Sequence, residues 1–514
     1  MAVLTSGQRR LSSDEVALRA ARAATGFERL GIGSGDGVGL YLRNDLAFFE
    51  AALGASAVGA YPVAVNWHYS VEEARYVLED SEAKAVVIHA DLLQRVAPAI
   101  PAGAAVLVVA TPPEIVAGYG IPEACATVPP GATDWEEWLS QFEPRLSEPT
   151  GTTLSIIYTS GTTGHPKGVK RPPYSQDELE RLTASLAVIF GFTYFEDPSQ
   201  MITAVPGPVY HSAPNTHAIF SFRVGATIHL MPRFDPEALL ALIERERITH
   251  LHLVPIMFER LLKLPADVRA RYDVSSLRFT VHAAAPCSPA TKRAMIDWWG
   301  PIIHEYYGST EVGPVTFITA EEWLEHPGSV GRRMEGADVR ILDDDGNQLG
   351  PGELGEIAAG SITGTTDFTY HRDEEKRRAA DRGGLFAPGD VGYFDEDGYL
   401  YLRDRKIDMI ISGGVNIYPA AIELELHKHE AIADCAVFGI PDEEFGEAVH
   451  AVVQLQPGRT ASEDEVKAFL RERMAGYEIP RRVEFHADLP REDSGKIFKR
   501  KLRDPFWAEA GRSI

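Results

Sequence analysis

Between positions 158 and 170 the chain reads YTSGTTGHPKGVK, a span holding the hydroxyls of Thr159, Ser160, Thr162 and Thr163, the glycines Gly161, Gly164 and Gly168, and Lys167. Glycines let backbone amides converge on an anion, hydroxyls donate to it, and a lysine adds charge, so the composition suits a phosphate clamp. The spacing is not that of a Walker A loop, which needs G-x-x-x-x-G-K-[ST]; here Gly168 stands where Ser or Thr should follow the lysine. On these residues alone a polar hairpin loop is an equal reading. Three more groups could do chemistry: the Glu311 carboxylate beside Thr310 in YYGSTE, Asp390 in PGD, and Lys496 in SGK. Plain readings compete with these. Glu311 could be a surface glutamate, Arg405 the ion-pair partner of Asp404 or Asp408, and Lys496 the start of a solvated basic run with Lys499, Arg500, Lys501 and Arg503.

Such groups must be held by elements, and the pattern supplies them. Ser12 and Glu15 form a capping-box signature that opens an amphipathic helix running to about Leu30. Strand and helix patterns then alternate: strands at 38–42, 61–65, 85–89 and 105–109, helices at 47–58 and 71–78. The glycine-rich span follows the β-rich run 154–158, after which strand patterns recur at 201–205, 227–231, 250–254, 277–282 and 301–306. Alternation of apolar strands with helices predicts largely parallel sheets covered by helices. After Gly336 the chain turns to short β segments with Asp-Gly turns, the mark of an antiparallel unit. Beyond Arg405 a strand pair, a helix at 420–429, strands at 435–438 and 449–455, a helix at 463–474 and a strand at 483–485 describe a small α+β domain.

A chain of 514 residues exceeds one ordinary core, which predicts several structural units. The net charge of −24 makes nucleic acid and anionic membrane poor partners, so an anionic ligand needs a local device. The first residues carry no apolar signal segment, and no apolar run is long enough to span a bilayer. The three cysteines, Cys125, Cys287 and Cys435, lie far apart without metal-ligand spacing. A cytoplasmic, disulfide-free protein is expected.

TSGTTGHPKG is followed by PVYHSAP (208–214), HAAAP (282–286), YYGSTE (306–311), GELGEI (352–357), a long match at 388–423, GIPDEEFGEAVHAVV (439–453) and LPREDSGKIFKR (489–500). This ordered series resembles the adenylate-forming, or AMP-binding, superfamily in its acyl-CoA synthetase branch. The resemblance implies an α/β fold: a large N-terminal region of two α/β subdomains plus a β-barrel-like unit (1–405), and a small mobile C-terminal α+β domain (406–514). It implies that Thr159, Ser160, Gly161, Thr162, Thr163, Gly164 and Lys167 clamp the β- and γ-phosphates of ATP. Ala284, Ala285 and Pro286 would form the adenine loop with Tyr307, Gly308 and Ser309, and Tyr307 would stack on the base. Glu311 would hold Mg²⁺ against the phosphates, as suits a hard cation, and Thr310 beside it would belong to the catalytic set. Asp390 would reach the ribose and Arg405 the ribose or phosphate, Gly413 and Gly414 the pantetheine path of coenzyme A, and His211 would gate the acyl and CoA sites. Lys496, brought by the small domain, would stabilise the charge that develops as a carboxylate attacks the α-phosphate.

For the acid, the resemblance points to Tyr210, Ala213, Asn215, His282, Ala283 and Tyr306 as pocket lining. The bulk of Tyr306 favours aryl, phenylpropenoid or medium-chain acids. The alternatives are long-chain fatty or bile-acid-like acids, or delivery of the acyl group to a carrier protein. No aspartate stands at His211 to pair with an ammonium, which argues against an α-amino acid. The partners implied are the small-molecule acid, ATP and CoA, with a homodimer left open. Three departures stand out: HAAAP lacks the usual glycines, Pro388 replaces a common threonine, and Ile407 sits at the hinge where Lys or Asp is common.

Overall fold

The computed structural model describes residues 2–147, 151–159, 166–361, 368–371, 374–406, 408–413, 415–442, 445–491 and 497–509. The expectations placed on Ser160, Gly161, Thr162, Thr163, Gly164, Ile407, Gly414 and Lys496 therefore fall outside the described residues.

Ser12 and Glu15 do close a reciprocal capping box at the start of the helix Ser13–Arg29. The next helix, Leu46–Ala57, is apolar on nearly every face and is correspondingly buried. Its one acid, Glu50, is answered by Arg19 at 2.6 Å and by the Trp135 indole N–H at 2.9 Å. The two helices touch at Gly54, where a Cβ would stand 2.7 Å from the Ala23 methyl. Only glycine permits that approach.

Among the described residues the strands form three sheets. In the first, Gly37–Tyr41 lies between Tyr61–Ala64 and Ala83–His89, all parallel and all but one position buried. Ile156–Thr159 joins Tyr61–Ala64 in parallel, and Lys167–Lys170 and Thr369–Tyr370 then add antiparallel strands at that edge. The second sheet has a parallel centre: Thr227–Leu230, Ile202–Val205, His250–Leu253, Phe279–His282 and Ile303–Ser309 in that spatial order. Direction reverses at Gly313–Ile318, and the expected antiparallel β segments follow as a continuation of this sheet, through Gly331–Arg333 to Tyr399–Arg405 and Asp390–Phe394. Unforeseen is an N-terminal hairpin, Val3–Ser6 with Arg9–Ser12, whose first strand pairs in parallel with Thr227–Leu230.

The third sheet belongs to the C-terminal part. Ile432–Asp442 and Gly446–Leu455 form a long hairpin flanked by Ile410–Ser412 and Arg482–His486, and the helices Pro419–Leu426 and Glu463–Arg471 close a core around Ile422, Val437, Ala451 and Leu470. The basic run is not simply solvated. Lys499 is four-fifths buried and pairs with Glu423 at 2.8 Å. Burial opposes its charge, but Glu423, Asp408 and Asp404 outweigh that and hold the ammonium above its ordinary range. The two parts meet where Asp404 Oδ2 accepts the Ala420 amide at 2.7 Å, in the first turn of Pro419–Leu426. Burial pushes the Asp404 carboxyl up to about 6, against Lys499 and two amide donors. None of the described helices is long and apolar enough to cross a membrane.

Candidate active site

The candidate residues gather where the parallel strands of both sheets end, the edge at which open α/β sheets bind ligands. Thr159 closes Ile156–Thr159, and Lys167 opens the strand paired with it; the Thr159 hydroxyl lies 3.5 Å from the Lys167 carbonyl oxygen. The Lys167 ammonium stands 5.1 Å over the Tyr370 ring, and the Tyr370 hydroxyl donates to Glu311 Oε1 at 2.9 Å. Just past the end of the strand Lys167–Lys170, Arg171 donates to the carbonyls of Thr310 and Glu311 at 2.6 and 2.8 Å. The glycine-rich segment's exit strand is thus tied to the turn after YYGS, although the two lie in different sheets.

That turn is shaped by close backbone contact. A bulge falls between Tyr307 and Gly308, and a Cβ at Gly308 would meet the Gly313 carbonyl oxygen at 2.1 Å. Ser309 lies at the strand's end, with its Oγ 3.4 Å from the Val312 amide. The Tyr307 hydroxyl donates to Asp390 Oδ2 at 2.6 Å; burial first, then the Asp390 charge, push that phenol well above its ordinary pKa. Arg405, the cross-strand partner of Asp390, donates from Nε to Oδ1 at 3.2 Å. Burial opposes the Arg405 charge, and Asp390 and Asp408 outweigh it, so the guanidinium stays protonated. Asp390 is therefore one carboxylate holding a phenol and a guanidinium, with lone pairs to spare.

The segment 283–286 follows Phe279–His282 at the same edge. Ala284 sits at φ 72°, in the left-handed region that a side chain enters at a cost, while Ala284 and Pro286 are exposed and Ala285 is half-buried. Ala284→Gly should relieve that strain and raise the melting temperature by about 1–2 °C. An unchanged or lower midpoint in differential scanning fluorimetry would mean the loop is not strained there.

His211 precedes the helix Ser212–Arg223, its ring 4.5 Å from that of Tyr210. Asn215 is buried and donates to the Val209 carbonyl at 2.8 Å, and Ala213 is half-buried in the same first turn. Ala283 and Tyr306 share one apolar cluster with Phe190 and Phe220. His282 does not join them. Alternation along the strand turns it to the other face of the sheet, against the Phe258 ring at 5.3 Å and 3.4 Å from Glu305 Oε2. There Lys292, fully buried, pairs with Glu305 at 2.7 Å. Burial, then Lys292, hold the His282 pKa well below its usual value, so the imidazole is neutral. The expected lining role of His282 is therefore corrected to one behind the sheet.

Gly413, at φ 58°, turns the hairpin between Ile410–Ser412 and Val415–Ile417, and its amide donates to the Phe445 carbonyl at 2.8 Å. Its contact is within the small unit. The flanks of the Lys496 segment are also clear. Arg491 and Ile497 form a β-bridge, Arg491 pairs with Asp434, and both charges act on Glu259 in the helix Pro255–Leu262 of the large unit.

Sequence reasoning missed three positioning residues. Asn44, buried, binds the carbonyls of Val205, Gly207 and Met231 and the Val209 amide, and so fixes the chain entering PVYHSAP. Arg171 and Tyr370 hold the Glu311 turn as described. All three act on residues more than fifty positions away, so no local spacing marks them.

Comparison with known proteins identifies the family. Residues 1–365 match the AMP-binding enzyme family, and residues 421–496 match the AMP-binding enzyme C-terminal domain. Among curated relatives, the long-chain-fatty-acid–CoA ligase FadD13 of Mycobacterium tuberculosis is 32% identical, with 95% of this chain and 91% of the relative covered. The feruloyl-CoA synthase of an Amycolatopsis species is 33% identical over 96% of this chain and 94% of its own. Among solved structures, the amide bond synthetase McbA from Marinactinospora thermotolerans superposes with a TM-score of 0.82 at 27% identity, covering 98% of this chain and 97% of that one. With its large and C-terminal parts both matched, in order, the chain belongs to the AMP-binding enzymes.

Proposed function

We propose that this chain is an ATP-dependent carboxylic acid–CoA ligase that works through an acyl adenylate, with its large domain ending at Arg405. The observation that carries the reading is the convergence, from two sheets, of a carboxylate held by a phenol and a guanidinium (Asp390, Tyr307, Arg405) with a lysine, a phenol and a second carboxylate (Lys167, Tyr370, Glu311). The first set suits ribose hydroxyls, and the second suits a polyphosphate. In the first step the acid's carboxylate oxygen attacks the α-phosphorus of ATP, and the bond to the β,γ-pyrophosphate breaks. In the second, the CoA thiol sulfur attacks the acyl carbon and AMP leaves, with the thiol proton lost to solvent.

In this reading Thr159 and Lys167 steer the terminal phosphates, Ala284–Pro286 and Tyr307 take adenine, and Lys496 acts only in the first step. His211 stands between the acyl and CoA sites. Magnesium fits as well. Among the described residues no group of three acidic, histidine or cysteine side chains could hold a metal ion by itself, and Glu311 has an oxygen left beyond the Tyr370 bond, the one-carboxylate arrangement magnesium adopts with phosphates. Bound there, the ion would neutralise phosphate charge. The acid is aromatic, phenylpropenoid or medium-chain, because the Tyr306 ring and Phe190 close the cluster behind Ala283. Consumption of ATP and CoA puts the reaction in the cytoplasm.

Pyrophosphate release across a panel of carboxylic acids, with and without CoA, tests the reading. Acid-dependent release, with thioester formed only when CoA is present, is expected. Release followed by acyl transfer to a carrier protein or an amine but never to CoA would overturn the CoA step. Absence of release with every acid would overturn adenylation itself.

A further inference from the structure

Behind the second sheet, on the face opposite the Ala283 cluster, lies an ion pair that the proposed chemistry does not use. Lys292 is fully buried, Glu305 is 7% exposed, and the ammonium donates to Glu305 Oε2 at 2.7 Å. Burial pushes the Glu305 carboxyl above its ordinary range, with Lys292 pulling the other way. His282 stands directly opposite Glu305 in the parallel register, its Nε2 3.4 Å from the same oxygen. Neither ring nitrogen of His282 makes a hydrogen bond among the described residues. Lys292 is therefore the group that answers the buried carboxylate.

These residues bracket one loop. His282 ends the strand Phe279–His282, residues 283–286 follow, and Ser288 caps the helix Pro289–Trp299 by accepting the Thr291 amide. Lys292, early in that helix, reaches back to Glu305. Both ends of the loop are thus brought to one carboxylate, and two residues further along its strand stands Tyr307. The loop has little else to hold it. Residues 283–286 make no backbone hydrogen bond among the described residues, and Ala284 sits in the left-handed region.

A buried ion pair is a poor source of stability, because both charges give up their hydration and an apolar pair of similar volume often does as well or better. What it supplies is direction. Apolar side chains pack over a range of separations, whereas an ammonium and a carboxylate bond at one. We infer that Lys292 and Glu305 are positioning residues for the nucleotide: their bond fixes the 283–286 loop relative to the Tyr307 ring and so sets the width of the slot that takes adenine. The inference rests on the assignment of that loop and Tyr307 to adenine in the ligase reading, and adds the residues that hold the slot open.

The test uses the full chain. Calorimetric titration gives Kd for ATP and for GTP with no acid present, and pyrophosphate release at saturating ATP gives kcat. Lys292→Met leaves Glu305 buried without its partner and should lower the melting temperature; Lys292→Met combined with Glu305→Leu leaves no charge unpaired and should melt at or above wild type. In both, Kd for ATP should rise by about tenfold or more, the preference for ATP over GTP should shrink by about as much, and kcat should stay within about threefold. Should Lys292→Met fail to fold, the double variant decides. Wild-type affinity and preference in the double variant would mean that the pair only fills space, which overturns the inference and leaves the ligase reading standing. Equal weakening for ATP and GTP, with the preference unchanged, overturns it too, since a loosened fold does not discriminate between bases. ATP binding by wild type without pyrophosphate release from any acid of the panel overturns the ligase reading instead, and the titrations still decide the slot.

Discussion

Lys496→Ala should cut acid-dependent pyrophosphate release by about a hundred- to a thousandfold, the usual cost of removing one group aimed at developing charge. It should leave conversion of supplied acyl adenylate and CoA to thioester within about threefold of wild type. The asymmetry follows from the charges. In the first step a carboxylate approaches an already anionic phosphate, and negative charge grows on the α-phosphoryl oxygens. In the second a thiol attacks a carbonyl whose leaving group is AMP, so no such pair of anions must be brought together. Lys496 lies outside the described residues, yet its flanks are informative. Arg491 is bridged to Ile497, paired with Asp434, and close enough to influence Glu259 and Arg260 in the helix that follows His250–Leu253. That helix starts at the edge where the candidate site lies. Equal loss of both half-reactions, measured separately by pyrophosphate release and by thioester formation, would show that the lysine has another role.

Asp390→Ala should lower kcat/KM for ATP by about a hundredfold or more, mostly through KM. The carboxylate is the common acceptor for the Tyr307 hydroxyl and the Arg405 guanidinium. Hydrogen bonds to a charged group are worth about 1.5–3 kcal/mol each, and leaving a buried phenol without an acceptor adds a further penalty. Removing Asp390 loses the proposed ribose contacts and unpins two neighbours at once. Tyr307→Phe keeps the ring and deletes only the tether, so it should cost less, about threefold to tenfold, if stacking is the ring's role and the hydroxyl serves to orient Asp390. The comparison is made by varying ATP at saturating acid. An unchanged KM for ATP in Asp390→Ala would remove the nucleotide from this part of the site.

Much of this arrangement was legible because the motifs sit on strands whose pattern is strong. The apolar runs at 38–42 and 61–65 are buried on both faces as parallel strands must be, and each appears within a residue or so of its expected bounds. The antiparallel segments beyond Gly336 were equally plain from their Asp-Gly turns, though not that they extend the second sheet. The hairpin Val3–Ser6 with Arg9–Ser12 was not legible, since its second strand carries Arg9 and Arg10 and its sheet neighbour lies beyond residue 226. Lys499 misled for the same reason: its basic neighbours are adjacent in sequence, while Glu423, Asp408 and Asp404 come to it only through the fold. His282 is different. Period-two alternation from Val281 and Ala283, which face the apolar cluster, already puts His282 on the opposite face, so the signal was present in the strand itself.

The helix Pro419–Leu426 opens on Tyr418, whose side chain caps nothing, and its Ala420 amide is answered instead by Asp404 from the last strand of the large sheet. The small domain therefore has its first helix finished by a residue it does not own. Any turn of the small domain that separates Ala420 from Asp404 uncaps that helix for as long as the separation lasts, at a cost of about 1 kcal/mol. A fragment beginning after Arg405 would carry the same deficit permanently. A cut after Arg405 would thus divide the chain in sequence but not in energy, since part of the C-terminal unit's folding stability is lodged in the strand before it.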